Sequence, residues 1–240
     1  AWVVTGPAGE SLRRFVDSNG DNKVDEWRYY RGGIEVYRDI DKDFNGKADQ
    51  YRWLGTAGTR WGLDPDEDGE IDIWKTISAE EVSAEVIEAI KQSDEERFAR
   101  VLLSSKELAT LGLSRSLSKD LSDRIQAAAR DFRKVARSQS KITKDTQWVD
   151  FGGLRPGTMP GGQGDFAKDL TVYENVVAMI ETEGRSAQVP IGTLVQVGTS
   201  WRVVGLPIAA GKDASPEFVF FEPASQSTSI GVSEVTQRLI

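Results

Sequence analysis

An acidic motif that occurs three times near the N-terminus constrains this chain more than any other feature. The copies begin at Asp17, Asp41 and Asp64, so they follow one another at intervals of 24 and 23 residues. All three fit the pattern Asp-x-[Asp/Asn]-x-[Asp/Asn]-[Gly/Asn]-x-x-Asp-x-aromatic. Because the agreement extends over this many positions in three copies, we interpret the motif as part of a structural repeat.

Each motif spaces its oxygen atoms as a hard cation requires. Calcium takes about six to eight oxygen ligands, many of them carboxylates. In a tight loop, the side chains at positions 1, 3 and 5 converge, position 6 needs a left-handed backbone, position 7 offers its carbonyl oxygen and position 9 closes the site. The predicted ligands are Asp17, Asn19, Asp21, Lys23 and Asp25 in the first loop, Asp41, Asp43, Asn45, Lys47 and Asp49 in the second, and Asp64, Asp66, Asp68, Glu70 and Asp72 in the third. Lys23, Lys47 and Glu70 would contribute only their backbone carbonyls, and the sequence predicts about three calcium ions.

Two other interpretations of these loops agree less well with the sequence. Asp, Asn and Gly also form ordinary solvated turns, but three such loops in register would leave many carboxylates repelling one another without a cation. An EF-hand is excluded because its loop needs a Glu at position 12, where this chain has Arg28, Arg52 and Lys75.

The loops resemble the calcium loops of integrin α-chains and of FG-GAP propeller repeats, which also have an Asp at position 9 and a strand on each side. The resemblance covers the loops alone and implies a structural calcium ion in each. A propeller blade is much longer than this repeat, so the spacing argues against a propeller.

Between the loops, aromatic and β-branched residues alternate with Gly-containing turns, as in strands and hairpins. We therefore predict that residues 1–77 form an antiparallel meander of about seven short strands, with the acidic loops along one edge. An aromatic residue follows each closing Asp by two positions, at Trp27, Tyr51 and Trp74. We interpret this series as core packing, with a carbohydrate or ligand platform as the alternative.

At residue 78 the period changes from strand to helix. Ser78 to Glu81 form a predicted capping box, Ser93 to Glu96 are predicted to open a second helix, and residues 113–142 a third. Long predicted strands follow at 170–182, 187–197 and 200–206. The chain is therefore expected to be α+β, with a calcium-loop β-repeat domain at 1–77, an α+β domain at 78–207, and a linker with the start of a further element at 208–240.

The segment from Gly198 to Val204, Gly-Thr-Ser-Trp-Arg-Val-Val, resembles a strand ending found in the NTF2-like superfamily. The resemblance implies a cone of helices and curved sheet around a pocket that is catalytic in some members and structural in others. Catalytic members usually place an Asp–His or paired-carboxylate set in that pocket. This chain has no His, which favours a structural pocket; a ligand-binding or catalytic pocket is the alternative.

Composition excludes several functional classes. The absence of Cys and His excludes thiol nucleophiles, Ser–His–Asp triads, His-based proton transfer and ordinary zinc or haem sites. A net charge of −8 argues against nucleic-acid binding. No apolar run approaches the ~18–20 residues of a membrane span. We expect no catalytic activity in this chain.

The run from Glu35 to Trp61, together with Ile77 to Val82, resembles the N-terminal region of large exported planctomycete proteins that carry a thioredoxin-like or redoxin domain further along. This implies an extracytoplasmic, non-enzymatic front part of a longer protein. We expect a calcium-stabilised binding or scaffold module with a protein or cell-envelope partner. The alternatives are an NTF2-like ligand-binding or catalytic pocket, or an accessory region of a thiol–disulfide oxidoreductase whose catalytic domain lies outside this chain.

Overall fold

The computed structural model describes residues 1–55, 58–139, 141–207 and 220. The expected linker and further element at 208–240 lie outside the described residues, apart from residue 220. The strands are β1 (Trp2–Thr5), β2 (Ser11–Val16), β3 (Glu26–Arg31), β4 (Ile34–Ile40), β5 (Gln50–Leu54), β6 (Thr59–Leu63), β7 (Ile73–Ile77), β8 (Gln147–Gly152), β9 (Gly157–Met159), β10 (Leu170–Thr182), β11 (Arg185–Val197) and β12 (Ser200–Val203). The helices are α1 (Ala79–Gln92), α2 (Glu95–Val101), α3 (Ser105–Leu108) and α4 (Arg115–Ser138).

The described strands form a single twelve-stranded sheet that continues across residue 77. Strands β1 to β7 pair with their sequence neighbours as an antiparallel meander, as the sequence predicts. Strand β7 then pairs in parallel with β12, where Ser200 lies opposite Ile77. The sheet continues through β11, β10 and β8, and β9 pairs with β10. The α+β class expected from the sequence is confirmed in this form, with a mostly antiparallel sheet.

The helix boundaries differ from the prediction at Ser93 and at both ends of the third predicted helix, which is α4 and spans Arg115–Ser138 rather than 113–142. Ser78 caps α1 as predicted, because its hydroxyl accepts the Glu81 N–H. Ser93 does not open the second helix. It ends α1 in a left-handed conformation with φ of 55°, and Asp94 caps α2 instead. The reciprocal capping box lies at Ser104 and opens the short helix α3, which the sequence analysis did not predict.

The apolar core lies between the helices and the C-terminal half of the sheet. Phe98 of α2 stacks on Phe132 of α4 at 4.2 Å between ring centroids, and both are fully buried. The most N-terminal buried apolar side chain among the described residues is Trp74. In the described part of residues 1–73, the only fully buried side chains are those of Asp25, Asp41 and Asp64. The meander therefore lacks an apolar core of its own.

A buried carboxylate ties the meander to the helices. The Glu85 side chain of α1 is only 4% exposed, and its oxygens accept from Arg60 of β6 at 2.9 Å and from Arg97 of α2 at 2.8 Å. Both arginines are about three-quarters buried, so water screens these ion pairs less than surface pairs. This triad joins the three elements β6, α1 and α2. Among the described residues, no helix is both long enough and apolar enough to cross a membrane.

We expect Glu85→Gln to lower the free energy of unfolding by about 2 kcal/mol, because it leaves the partly buried Arg97 without its ion-pair partner and Arg60 with Glu81 alone. Urea unfolding followed by circular dichroism measures this change. As the control, Asp123→Asn breaks an exposed ion pair with Lys119 and should leave the unfolding midpoint unchanged. Equal stability of the two variants would show that the Glu85 triad does not support the fold.

Candidate metal centre at the loop edge

The three acidic loops are the connections β2–β3, β4–β5 and β6–β7. Alternate connections of a meander lie at the same edge of the sheet, so the loops are neighbours, as the sequence predicts. The second and third loops are in contact: Lys47 Nζ lies 3.3 Å from Glu67 Oε2, and the Asn45 amide donates to Glu67 Oε1. The predicted sites therefore form a row along this edge.

The same backbone hydrogen bonds close every loop. The N–H at position 9 donates to the carbonyl of the residue just before position 1, and the N–H at position 1 donates to the position-9 carbonyl of the preceding loop. These bonds are Asp25 N to Val16 O at 2.8 Å, Asp49 N to Ile40 O at 2.9 Å and Asp72 N to Leu63 O at 2.9 Å, with Asp41 N to Asp25 O at 2.8 Å and Asp64 N to Asp49 O at 2.9 Å between loops. The loops are thus connected in series by their first and last aspartates.

The carboxylate at position 1 organises each loop from within. One of its oxygens accepts the N–H at position 6, from Asn22 at 2.9 Å, Gly46 at 2.7 Å and Gly69 at 3.0 Å. Position 6 has a positive φ in all three loops, which confirms the prediction of a left-handed residue there. The side-chain oxygen at position 5 accepts the N–H at position 7 in each loop, at 2.8, 2.9 and 2.8 Å.

Position 4 is also left-handed, which the sequence analysis missed. It is occupied by Gly20, Phe44 and Glu67, with φ of 85°, 63° and 57°. Bulky residues rarely adopt this conformation, which costs on the order of 1–3 kcal/mol. Neither Phe nor Glu favours it, so no residue-type signal was available. The hydrogen bonds of the loop enforce this conformation at Phe44 and Glu67.

The closing aspartates differ between the loops. Asp25 Oδ2 accepts three bonds, from Ser18 N at 2.7 Å, Ser18 Oγ at 2.9 Å and Asn19 N at 3.3 Å. Asp49 accepts from Lys42 N at 3.1 Å. The third loop has Pro65 at the equivalent of Ser18 and Lys42, and proline has no N–H to donate. The Asp72 carboxylate is therefore free of the backbone bond that holds its counterparts, a difference that the sequence already contains.

Three of the predicted ligands converge in the third loop. Carboxylate oxygens of Asp64, Asp66 and Asp72 lie within 4.8 Å of one another, with Asp64 buried and the other two exposed. Among the described residues, this is the only group of three or more acidic side chains so close together. The acidic side chains of the first and second loops do not converge in this way. Asp68 instead accepts the Glu70 N–H. The three residues predicted to bind the ion through their backbone carbonyls lie at exposed positions: Lys23, Lys47 and Glu70.

The pKa shifts of the loop carboxylates separate the first loop from the second and third. Desolvation raises the pKa of Asp66, and the neighbouring charges of Asp68 and Asp72 raise it further. Desolvation likewise raises the pKa of Asp49, opposed by the Lys42 bond and supported by Asp43 and Asp41. Burial alone would raise the pKa of Asp25, but the hydrogen bonds from Ser18 and Asn19 outweigh it and the pKa is lowered. The third-loop cluster could therefore hold a metal ion, whose charge would relieve this repulsion.

No protein-family model, curated protein or solved structure matches this chain. The site must therefore be interpreted from its own geometry.

We expect the two closing aspartates to respond differently to truncation when no calcium is present. Asp25→Ala should lower the melting temperature, because it leaves the donors of Ser18 and Asn19 without an acceptor. Asp72→Ala should leave the melting temperature unchanged or raise it, because it removes a repelling charge. Differential scanning calorimetry in chelator measures both. A larger loss in Asp72→Ala would contradict this assignment of roles.

Proposed function

We propose that the meander of residues 1–77 is stabilised by calcium and that the chain serves as an extracytoplasmic, non-enzymatic binding or scaffold module. One observation supports this most directly: the only fully buried side chains in the described part of residues 1–73 are Asp25, Asp41 and Asp64. Small folds without a sufficient apolar core need another source of stability, such as a bound metal. In this part of the meander, the buried side chains are carboxylates of the loops at the sheet edge.

The donor set favours calcium over other cations. All predicted ligands offer oxygen, and the chain has neither His nor Cys, so a soft or borderline metal would lack its preferred ligands. Magnesium requires near-ideal octahedral geometry, whereas calcium tolerates irregular carboxylate and carbonyl arrangements such as these loops offer. The third loop, whose carboxylates already converge, is expected to bind most tightly. The first and second loops would have to exchange internal hydrogen bonds for the ion.

Weak calcium sites suit an extracytoplasmic setting. Extracellular calcium modules bind the ion at roughly 10⁻⁴ to 10⁻³ M, a range that only calcium-rich surroundings can saturate. This agrees with the resemblance to the front part of exported planctomycete proteins. The partner would then be a protein or a component of the cell envelope.

A second candidate is a ligand-binding or catalytic pocket in an NTF2-like half. Fully buried apolar side chains, among them Leu121, Phe132 and Ile191, form one core cluster that includes residues of the helices and of β10 to β12. This packing supports a structural role for residues 78–207 and favours the scaffold proposal.

Calcium should raise the melting temperature of the protein. Free ion at about 100 times the dissociation constant stabilises a folded state by about 2.7 kcal/mol for each site. Calorimetry in millimolar calcium, compared with chelator and with the same concentration of magnesium, tests the proposal and the ion preference together. An unchanged transition in calcium would rule out the calcium proposal.

Removing one ligand from the third loop should remove one ion. We expect Asp66→Ala to lower the calcium stoichiometry by one, because Asp66 is an exposed member of the converging cluster. The matched control is Asp145→Ala, an exposed aspartate outside the loops, which should bind as the native protein does. Isothermal titration calorimetry measures both. Identical stoichiometry in the two variants would show that Asp66 is not a ligand.

A further inference from the structure

A cleft of about 430 Å³ lies between the meander and the first two helices. One wall carries Tyr37, Tyr51 and Trp53 from β4 and β5, and the other carries Gln92, Arg97 and Arg100 from α1 and α2. We call it the aromatic cleft. Its volume falls within the range of about 300–1,000 Å³ that small-molecule sites occupy.

The aromatic wall is built by strand register. Tyr37 lies directly opposite Trp53 on the neighbouring strand, with their ring centroids 5.2 Å apart. Trp53 in turn contacts Trp74 edge-on at 6.1 Å. Only Trp74 of these three is fully buried; Tyr37 and Trp53 remain half-exposed. The rings of Tyr37 and Trp53 therefore do more than fill a core, because they present apolar surface to the cleft.

Unsatisfied hydrogen-bond donors concentrate at this cleft. Among the described residues, three buried side-chain nitrogens lack a hydrogen-bond partner: Arg60 Nε, Trp74 Nε1 and Arg100 Nε. All three residues line the aromatic cleft. Buried polar groups in folded proteins are nearly always hydrogen-bonded, and each exception calls for a reason such as an absent ligand. Here the exceptions share one location.

The arginines of the cleft differ in their charge balance. Arg60 and Arg97 both pair with Glu85, and the Arg60 guanidinium also lies over the Trp53 ring at 4.5 Å. Asp94 uses its carboxylate to cap α2. Arg100 forms no hydrogen bond or ion pair with any described residue. Glu70 also borders the cleft, so Arg100 is not a surplus charge, but its buried Nε–H lacks an acceptor, which suits a ligand that carries a carboxylate.

We propose that the aromatic cleft binds a ring-shaped molecule bearing one carboxylate, with Arg100 as the anchor of that carboxylate. Arginine recognises carboxylates through paired N–H donors, and the aromatic wall would contact the apolar face of the ring. Glu70, which borders the cleft on the side of the third loop, offers a carboxylate for hydroxyl groups, which favours a sugar acid over an aromatic acid. This site does not depend on the proposed calcium sites.

The full chain is titrated with D-glucuronate, D-glucose and benzoate, and binding is followed by saturation-transfer NMR and by tryptophan fluorescence. We expect D-glucuronate to bind at least tenfold more tightly than D-glucose, which has a similar ring without the carboxylate. Arg100→Gln should weaken this binding at least tenfold, and Arg100→Lys should restore part of it. Arg137→Gln, an exposed arginine on α4, is the matched control and should change nothing. Melting temperatures of all variants show whether they are folded.

Repeating the titrations in chelator separates this proposal from the calcium proposal. Arg100-dependent binding of benzoate without D-glucuronate would support the carboxylate anchor and assign the ligand to the aromatic acids. The proposal is overturned if neither carboxylate gives saturable binding. It is also overturned if Arg100→Gln binds as the native protein does, or if D-glucose binds as tightly as D-glucuronate.

Discussion

In the described part of residues 1–73 the buried side chains are aspartates, and the structure of the meander depends on how these carboxylates are satisfied. A buried charge is costly unless hydrogen bonds or an opposite charge compensate for it. Asp41 and Asp64 meet this requirement partly through the loop N–H groups that they accept, and Asp25 does so through Ser18 and Asn19. The hydrogen bonds of the loops thus stabilise the meander, as the apolar core stabilises the C-terminal half. The loop geometry is repeated because each loop has to compensate the charge of a buried carboxylate.

Pro65 distinguishes the third loop from the first and second. In the first two loops, the residue after position 1 donates its N–H to the closing aspartate, which holds that carboxylate against its own backbone. Pro65 cannot donate, so Asp72 is left to converge with Asp64 and Asp66. The first loop also has Asn19 in place of the Asp that the other two loops carry at position 3, so it contributes one carboxylate fewer. The third loop is consequently the one in which an added cation would displace the fewest existing bonds.

The features that could be predicted from sequence are those that short-range chemistry decides. The meander, the left-handed position 6 and the cap at Ser78 follow from residue type and local spacing. The parallel pairing of β7 with β12 could not be predicted, because a contact of Ile77 with Ser200 depends on how the intervening helices pack. The prediction that Ser93 caps the second helix is wrong. Ser and Asp are both good N-caps, and Asp94 takes this position in the folded protein. The convergence at Asp72 can be related to Pro65 only when it is known that the residue after position 1 donates its N–H to the closing aspartate in the other loops.

Strand β7 connects the third loop to the apolar core and to the C-terminal half of the sheet. It follows the third loop directly, contributes the first fully buried apolar side chain at Trp74, and forms the seam to the C-terminal half of the sheet at Ile77. The aromatic cleft is bordered by the same strand and by Gly69, Glu70 and Ile71 of the third loop. An ion that fixed this loop would restrict the backbone on which both the seam and one border of the cleft depend. The carboxylates at the sheet edge and the arginines of the cleft are thus linked through one short strand, and an ion in the third loop would affect the cleft only at this border.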